Sequence, residues 1–162
     1  MRVKPVEEVH RAGESPVDYV RRLAREKAEA VWENADEIVL GADTTVVIDD
    51  RILEKPADAD DARAMLRLLS GREHTVITGI CLRHRGGSIM DHSATQVRFA
   101  PLTETEIAEY VASGETFDKA GAYAIQGLAS KFVESVNGCY FNVMGLPLSL
   151  VYRRWKSLTA AE

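Results

Sequence analysis

The stretch from Ile38 to Ile48 constrains this chain more than any other. The strand formers Ile38, Val39 and Leu40 run into Gly41-Ala42-Asp43-Thr44-Thr45, and strand formers return at Val46, Val47 and Ile48. A continuous apolar run is the mark of a strand with both faces covered, so Ile38 to Leu40 reads as a buried strand. Such a strand delivers the residues after it to the carboxyl edge of a sheet, where open α/β proteins bind ligands. In this chain it delivers a carboxylate with almost no bulk before it. Gly41 and Ala42 let another backbone or a ligand come close, and Asp43 is the first ionisable group out of the core. Asp also starts turns, so Asp43 is either a chemical group at a sheet edge or an ordinary turn residue.

Upstream, Ser15-Pro16-Val17-Asp18 is a helix start, with a cap, a proline suited to the first position and an acid where a capping box needs one. Val17, Val20, Leu23, Ala24, Ala28 and Val31 come next at helical spacing. Lys27 falls on the edge of that apolar face; it either snorkels its ammonium to solvent or points it along the sheet edge towards Asp43. Downstream, Val46 to Ile48 and Ile52-Leu53 flank Asp49-Asp50-Arg51 as a hairpin that delivers Glu54-Lys55-Pro56. Lys55 is there a solvated loop residue or a second cation for the same site.

Asp58 caps a helix that ends at Ser70-Gly71, and two long strands with a hairpin come after it over 74–82 and 88–99. His74 is a structural hydrogen bonder or a chemical group, and no partner His or Cys suggests zinc. Thr103 to Glu106 is a capping box. The small-residue run from Asp118 to Gly127 implies backbone packed closely against something. Residues 131–136 and 139–143 read as a hairpin around Asn137-Gly138, and Leu148, Val151, Tyr152 and Trp155 as the docking face of a last helix. Strands that come partly in hairpins and partly after helices predict an α/β fold with a mixed sheet, in one domain over residues 1–162.

Composition narrows the partners. A net charge of -5 argues against broad nucleic-acid or membrane-surface binding, so an anionic substrate would need a few placed cations and a metal ion. Cys81 and Cys139 show no metal-ligand spacing and suit buried thiols of a cytoplasmic protein. No apolar segment is long enough to span a membrane.

Seven separated pieces, in order, carry a resemblance. They are Gly13-Glu14-Ser15-Pro16 with Leu23 to Ala28, Gly41-Ala42-Asp43-Thr44, Ile52 to Pro56, Leu69-Ser70-Gly71, His74 to Gly79, Asp118 to Tyr123 with Gln126-Gly127, and Asn142 to Pro147. Together the chain resembles the Maf family, the septum-formation-inhibitor-like nucleoside triphosphate pyrophosphatases. The resemblance implies an elongated, ITPase-like α/β fold with a mixed sheet flanked by helices and a cleft between two lobes. It implies hydrolysis of a nucleoside triphosphate to the monophosphate and pyrophosphate with a divalent cation, Mg²⁺ or Mn²⁺. In its terms Asp43 is the proton acceptor, Glu8, Lys27 and Lys55 share the cleft, and Thr44 and Gln126 bear on base choice; by its chemistry Asp43 either takes the proton or holds the metal, for which Glu8 is the second ligand. The Ala-Asp-Thr form looks like the branch acting on dTTP and UTP, whereas the branch acting on 7-methyl-GTP usually has Ser-Asp-Gln. A homodimer is compatible with it. The family's opening apolar strand and Ser-x-Ser-Pro-Arg-Arg-like loop are missing, so the chain is expected to begin at an internal methionine of a longer protein or to be a shortened relative with weak activity.

The residues agree with that chemistry, since attack on the α-phosphorus needs a proton acceptor and cations over the phosphates. Two other readings stand beside it: a nucleotide-binding or regulatory protein that keeps the cleft without turnover, and an aspartyl-phosphate phosphatase. The latter usually wants a second acid two residues on, where this chain has Thr45.

Overall fold

The computed structural model describes residues 2–160. Helix α1 (Pro16–Val31) begins as its sequence demands, with Ser15 Oγ accepting from the Asp18 N–H and Pro16 in the first turn. Then come β1 (Val39–Ile48), β2 (Arg51–Leu53), α2 (Ala59–Leu69), β3 (Glu73–His84), β4 (Gly87–Phe99) and α3 (Glu104–Ala112). Two 3-10 turns, Ala120–Ala122 and Leu128–Phe132, lead to β5 (Val133–Asn137), α4 (Tyr140–Val143) and α5 (Leu148–Thr159). The caps expected at Asp58 and Thr103 both form, the second as a full capping box.

The strands form one sheet in the order β2-β1-β3-β4-β5, flanked by helices, so the α/β class holds. The mixed pairing does not: all four strand pairs among the described residues are antiparallel. The helical crossover is real, because α2 joins β2 to β3 and these two strands run the same way. They lie on opposite sides of β1, however, and never pair with each other.

Helix α1 covers one face, joined by Val6 from the segment before it. Gly41 and Gly79 make this possible by close approach: a Cβ on Gly41 would stand 2.1 Å from Ala24 O, and one on Gly79 would stand 2.4 Å from Val20 O. The other face carries the main core, where Val46, Val76, Val97 and Phe99 of the strands meet Leu66, Leu69, Ile107, Tyr110 and Phe132.

Three local expectations are corrected. Ile38 and Leu40 are 37% and 39% exposed, not buried, and Asp43 lies within β1, not beyond its end. The cause is the brevity of β2, which pairs only with Val46 to Ile48 and leaves the first part of β1 with an open edge. The segment after Asn137-Gly138 does not return as a strand but forms α4, because buried Asn142 donates from Nδ2 to Val76 O and Thr95 Oγ1, both at 3.0 Å. On α5, Leu150 is buried and Val151 half-buried while Leu148, Tyr152 and Trp155 are exposed, so only part of the expected docking face is used. Among the described residues no helix is long and apolar enough to cross a membrane.

Candidate active site

After Leu53 the hairpin partner of β1 peels away, and the Glu54 carbonyl turns to accept the Gly121 N–H at 3.1 Å. The gap beside the open edge of β1 is a cavity of about 280 Å³. Successive residues of β1 reach it from opposite faces of the sheet. Asp43 lies on the α1 side, where Lys27 meets it; Thr44 lies on the other, against Thr78.

The α1 side is charged. Lys27 Nζ donates to Asp43 Oδ1 at 2.6 Å and stands 2.6 Å from Glu8 Oε1, so one ammonium bridges two carboxylates. Lys55 Nζ donates to the other Glu8 oxygen at 3.1 Å. Lys27 therefore does not snorkel freely, and Lys55, though half exposed, is tied into the same cluster. Burial raises the Asp43 carboxyl above the ordinary aspartate value, against the opposing pull of Lys27. Burial acts on Glu8 in the same sense, but hydrogen bonds from Lys27 and Lys55 outweigh it and hold Glu8 below its usual value. Lys27 is held above the usual lysine value: burial works against its charge, and Asp43 and Glu8 more than compensate.

Glu8 sits on a segment without regular structure, and α1 pins it on both sides. Arg22 grips Glu14 with two bonds of 2.6 and 2.8 Å and donates to Val9 O at 2.9 Å. Tyr19 Oη donates to Glu54 Oε1 at 2.6 Å and lies 3.4 Å from Glu8 O. Tyr19 and Glu54 also line the cavity, and neither stands out in the sequence as a site residue. The available signal for Tyr19 is its place on the inner face of α1; for Glu54 it is adjacency to Lys55.

The far side is less polar, walled by Val76, Tyr123, Val143, Met144 and Gly145. His74 is a structural group behind that wall: buried, pushed down to about 4 by its burial, and 2.8 Å through Nε2 from the Tyr123 hydroxyl. Asp118, Lys119 and Ala120 complete the lining, and the small-residue run packs on β1, where a Cβ on Gly121 would stand 2.9 Å from Val46 Cγ2. Thr45 Oγ1 is buried without a protein partner on the same strand face as Asp43, an unspent hydroxyl at the cavity.

Of the residues expected to share a site, Glu8, Lys27, Asp43, Thr44 and Lys55 are brought together. Gln126 is not: it is exposed on the turn before the second 3-10 segment and does not line the cavity. The donor set suits a hard divalent cation, since two carboxylates converge on one cationic point. Among the described residues no cluster of three or more acidic, His or Cys side chains forms a closed metal cage. Mg²⁺ commonly makes do with one or two carboxylates, taking its other ligands from phosphate and water.

Comparison with known proteins accords with this geometry. The family profile described as "Maf-like protein" matches residues 1–158. A dTTP/UTP pyrophosphatase of Koribacter versatilis is 51% identical over 155 residues, covering 94% of this chain and 80% of that protein. One from Syntrophomonas wolfei is 52% identical over 143 residues, covering 86% and 76%. One from Bacillus cereus is 49% identical over 155 residues, covering 95% and 81%. With a family profile matched over residues 1–158 and relatives about 50% identical along most of it, this chain is a member of the Maf family.

Proposed function

We propose that this chain hydrolyses dTTP and UTP to the monophosphate and pyrophosphate in the cavity beside β1. The carrying observation is the 2.6 Å contact between Asp43 and Lys27 in a cavity that also holds Lys55 and Glu8. A water oxygen attacks the α-phosphorus, the bond from the α-phosphorus to the bridging oxygen breaks, and pyrophosphate leaves carrying that oxygen and the bonding electrons. Asp43 takes the proton of that water; its raised pKa brings it nearer to neutral pH, as suits a general base. Lys27 and Lys55 hold the phosphate oxygens and meet the charge that grows on the leaving group. Glu8 and Asp43 would hold a divalent cation, Mg²⁺ with Mn²⁺ as the alternative, which would neutralise the phosphates and acidify a bound water. Thr44, at the less polar end, faces the base. The free thiols of Cys81 and Cys139 suit a reducing compartment, and we place the activity in the cytoplasm.

The test is pyrophosphate release with Mg²⁺ from dTTP, UTP, CTP, GTP and 7-methyl-GTP, with and without chelator. Release from dTTP and UTP ahead of the rest, lost on chelation, is expected. Nucleotide binding without pyrophosphate release would instead favour a non-catalytic nucleotide-binding protein.

A further inference from the structure

Donor and acceptor roles along one buried chain of hydrogen bonds fix the polarity of Thr44. Asn142 is fully buried and anchored through its own side chain to Val76 O and Thr95 Oγ1. Its main-chain carbonyl is thereby held in place, and it accepts from Thr78 Oγ1 at 3.0 Å. A carbonyl has no proton to give, so the single proton of the Thr78 hydroxyl is committed to Asn142. Thr78 Oγ1 also lies 2.8 Å from Thr44 Oγ1. With the Thr78 proton already used, Thr44 must be the donor in that bond. For anything in the cavity, Thr44 then retains lone pairs alone.

That oxygen faces open space for a reason visible in the backbone. Gly145 adopts a positive φ of 99° beside it, and even a Cβ there would stand only 3.4 Å from Thr44 Oγ1. The surrounding walls, Val76, Val143, Met144 and Tyr123, suit a flat heterocycle better than a phosphate chain.

We propose that Asn142 and Thr78 act as a relay that makes Thr44 an obligate acceptor, and that this acceptor, set against ring nitrogen N3 of the base, selects rings that carry a proton there, uracil and thymine, over cytosine, whose pairing-edge N–H lies on the exocyclic N4 instead. The proposal rests on the nucleotide-hydrolase reading above and assigns the discriminating step to Thr78, a positioning residue that acts through Thr44. Uracil and thymine carry a proton on N3. Cytosine has a lone pair there, so its ring nitrogen would meet the Thr44 lone pairs and leave both groups unpaired. A site built to pair one pattern of polar groups rejects the mismatched one because the buried groups lose their partners.

UTP and CTP are the discriminating pair, since they share ring size, ribose and triphosphate. The experiment measures kcat/KM for both with the wild-type chain, Thr78→Val and Thr78→Ser, each checked for folding by circular dichroism and thermal melting. Valine keeps the shape of threonine but frees the Thr44 hydroxyl to rotate and donate. The wild-type preference for UTP is expected to be about tenfold or more, to fall to near parity in Thr78→Val, and to survive in Thr78→Ser, which keeps the relay. A purely structural role for Thr78 would lower both nucleotides together and leave their ratio unchanged, which would overturn the relay. If Thr78→Val does not fold, Thr44→Val removes the acceptor and leaves the Thr78–Asn142 bond in place; a ratio unmoved by that change overturns the proposal equally. A wild-type ratio near one also overturns it. Absence of pyrophosphate release from any nucleotide by the wild-type chain would instead sink the hydrolase reading on which the relay stands.

Discussion

Replacing Gly41 with alanine should damage both stability and catalysis, and one contact sets the size of each effect. A Cβ at Gly41 would lie 2.1 Å from Ala24 O and 2.9 Å from both Ala28 N and Ala28 Cβ. Carbon meets a carbonyl oxygen comfortably at about 3.3 Å, so α1 would have to retreat by roughly 1 Å. The obstacle is helix backbone, which cannot rotate away as a flexible side chain can. Val20, Leu23, Ala24 and Ala28, all buried against the sheet, would lose contact as the helix moves. Overpacking of this kind costs about 1–3 kcal/mol. In a chain of this size that corresponds to a fall in Tm of roughly 2–12 °C. Lys27 rides on the same turn, and its 2.6 Å contact with Asp43 would be stretched or broken. Misplacing a catalytic group by about 1 Å can lower the rate about a hundredfold. Thermal melting by circular dichroism reads the first effect. Pyrophosphate release, assayed well below both melting temperatures, reads the second without contribution from unfolded protein. A Gly41→Ala protein with the wild-type Tm and turnover would refute the close approach of α1 to β1 and the placement of Lys27 that depends on it.

Asp43→Asn should keep the fold and lose turnover by about a hundredfold or more, the range expected for a missing general base; full activity would remove Asp43 from the mechanism. Lys27→Met should move the acidic limb of the pH–rate profile to higher pH, because Lys27 opposes the burial that raises Asp43 and the base works only when ionised. An unmoved limb in a mutant that still turns over would separate Lys27 from the titration of Asp43. Glu14 has its pKa lowered to about 2 from an ordinary 4.5, first by its hydrogen bonds from Arg22. Its contribution to stability is therefore complete above pH 4.5 and lost as pH falls through 4.5 towards 2. Arg22→Met should lower stability at pH 7 by up to about 3 kcal/mol, by leaving Glu14 with only the exposed Arg11 nearby, and should flatten this acid dependence. Denaturant titrations at pH 7 and pH 3 read both, and equal losses for wild type and mutant on acidification would contradict the assignment.

Features set by neighbouring residues are legible in the sequence itself. Ser15, Asp58 and Thr103 cap the helices expected of them, and the hairpin of Asp49-Asp50 delivers Lys55 beside Asp43. Expectation fails where a distant partner decides. The apolar run Ile38 to Leu40 has the composition of a covered strand, but the short β2 leaves its edge open. Residues 139–143 carry strand-like composition, yet the buried amide of Asn142, bonded to β3 and β4, turns them into helix. On the last helix the expected face of Leu148, Val151, Tyr152 and Trp155 is only partly used, because packing buries Leu150 instead. Tyr19 and Glu54 are hidden for the same reason: a separation of 35 residues is closed by the fold, and no local spacing announces it.

The open edge of β1 also explains how an acidic chain can offer a place to a polyanion. A fully paired strand at this position would put Asp43 and Thr44 on opposite sides of a continuous sheet, with no common space. Because β2 ends at Leu53, the sheet stops there and both side chains border one cavity, the charged groups on the α1 side and the hydroxyl chain on the other. The net charge of -5 is then no obstacle, since the cations that matter are local. Lys27 and Lys55 are held in readiness by Glu8 and Asp43, carboxylates that neutralise them and keep Lys27 charged despite its burial. In the proposed reaction an arriving triphosphate would exchange partners with that cluster: phosphate oxygens would take the lysines, freeing Asp43 for the attacking water, and Asp43 and Glu8 are the carboxylates that would hold a divalent cation. Strand length, set by where Glu54 departs from β1, is thus the structural choice on which both the chemistry and the reading of the base depend.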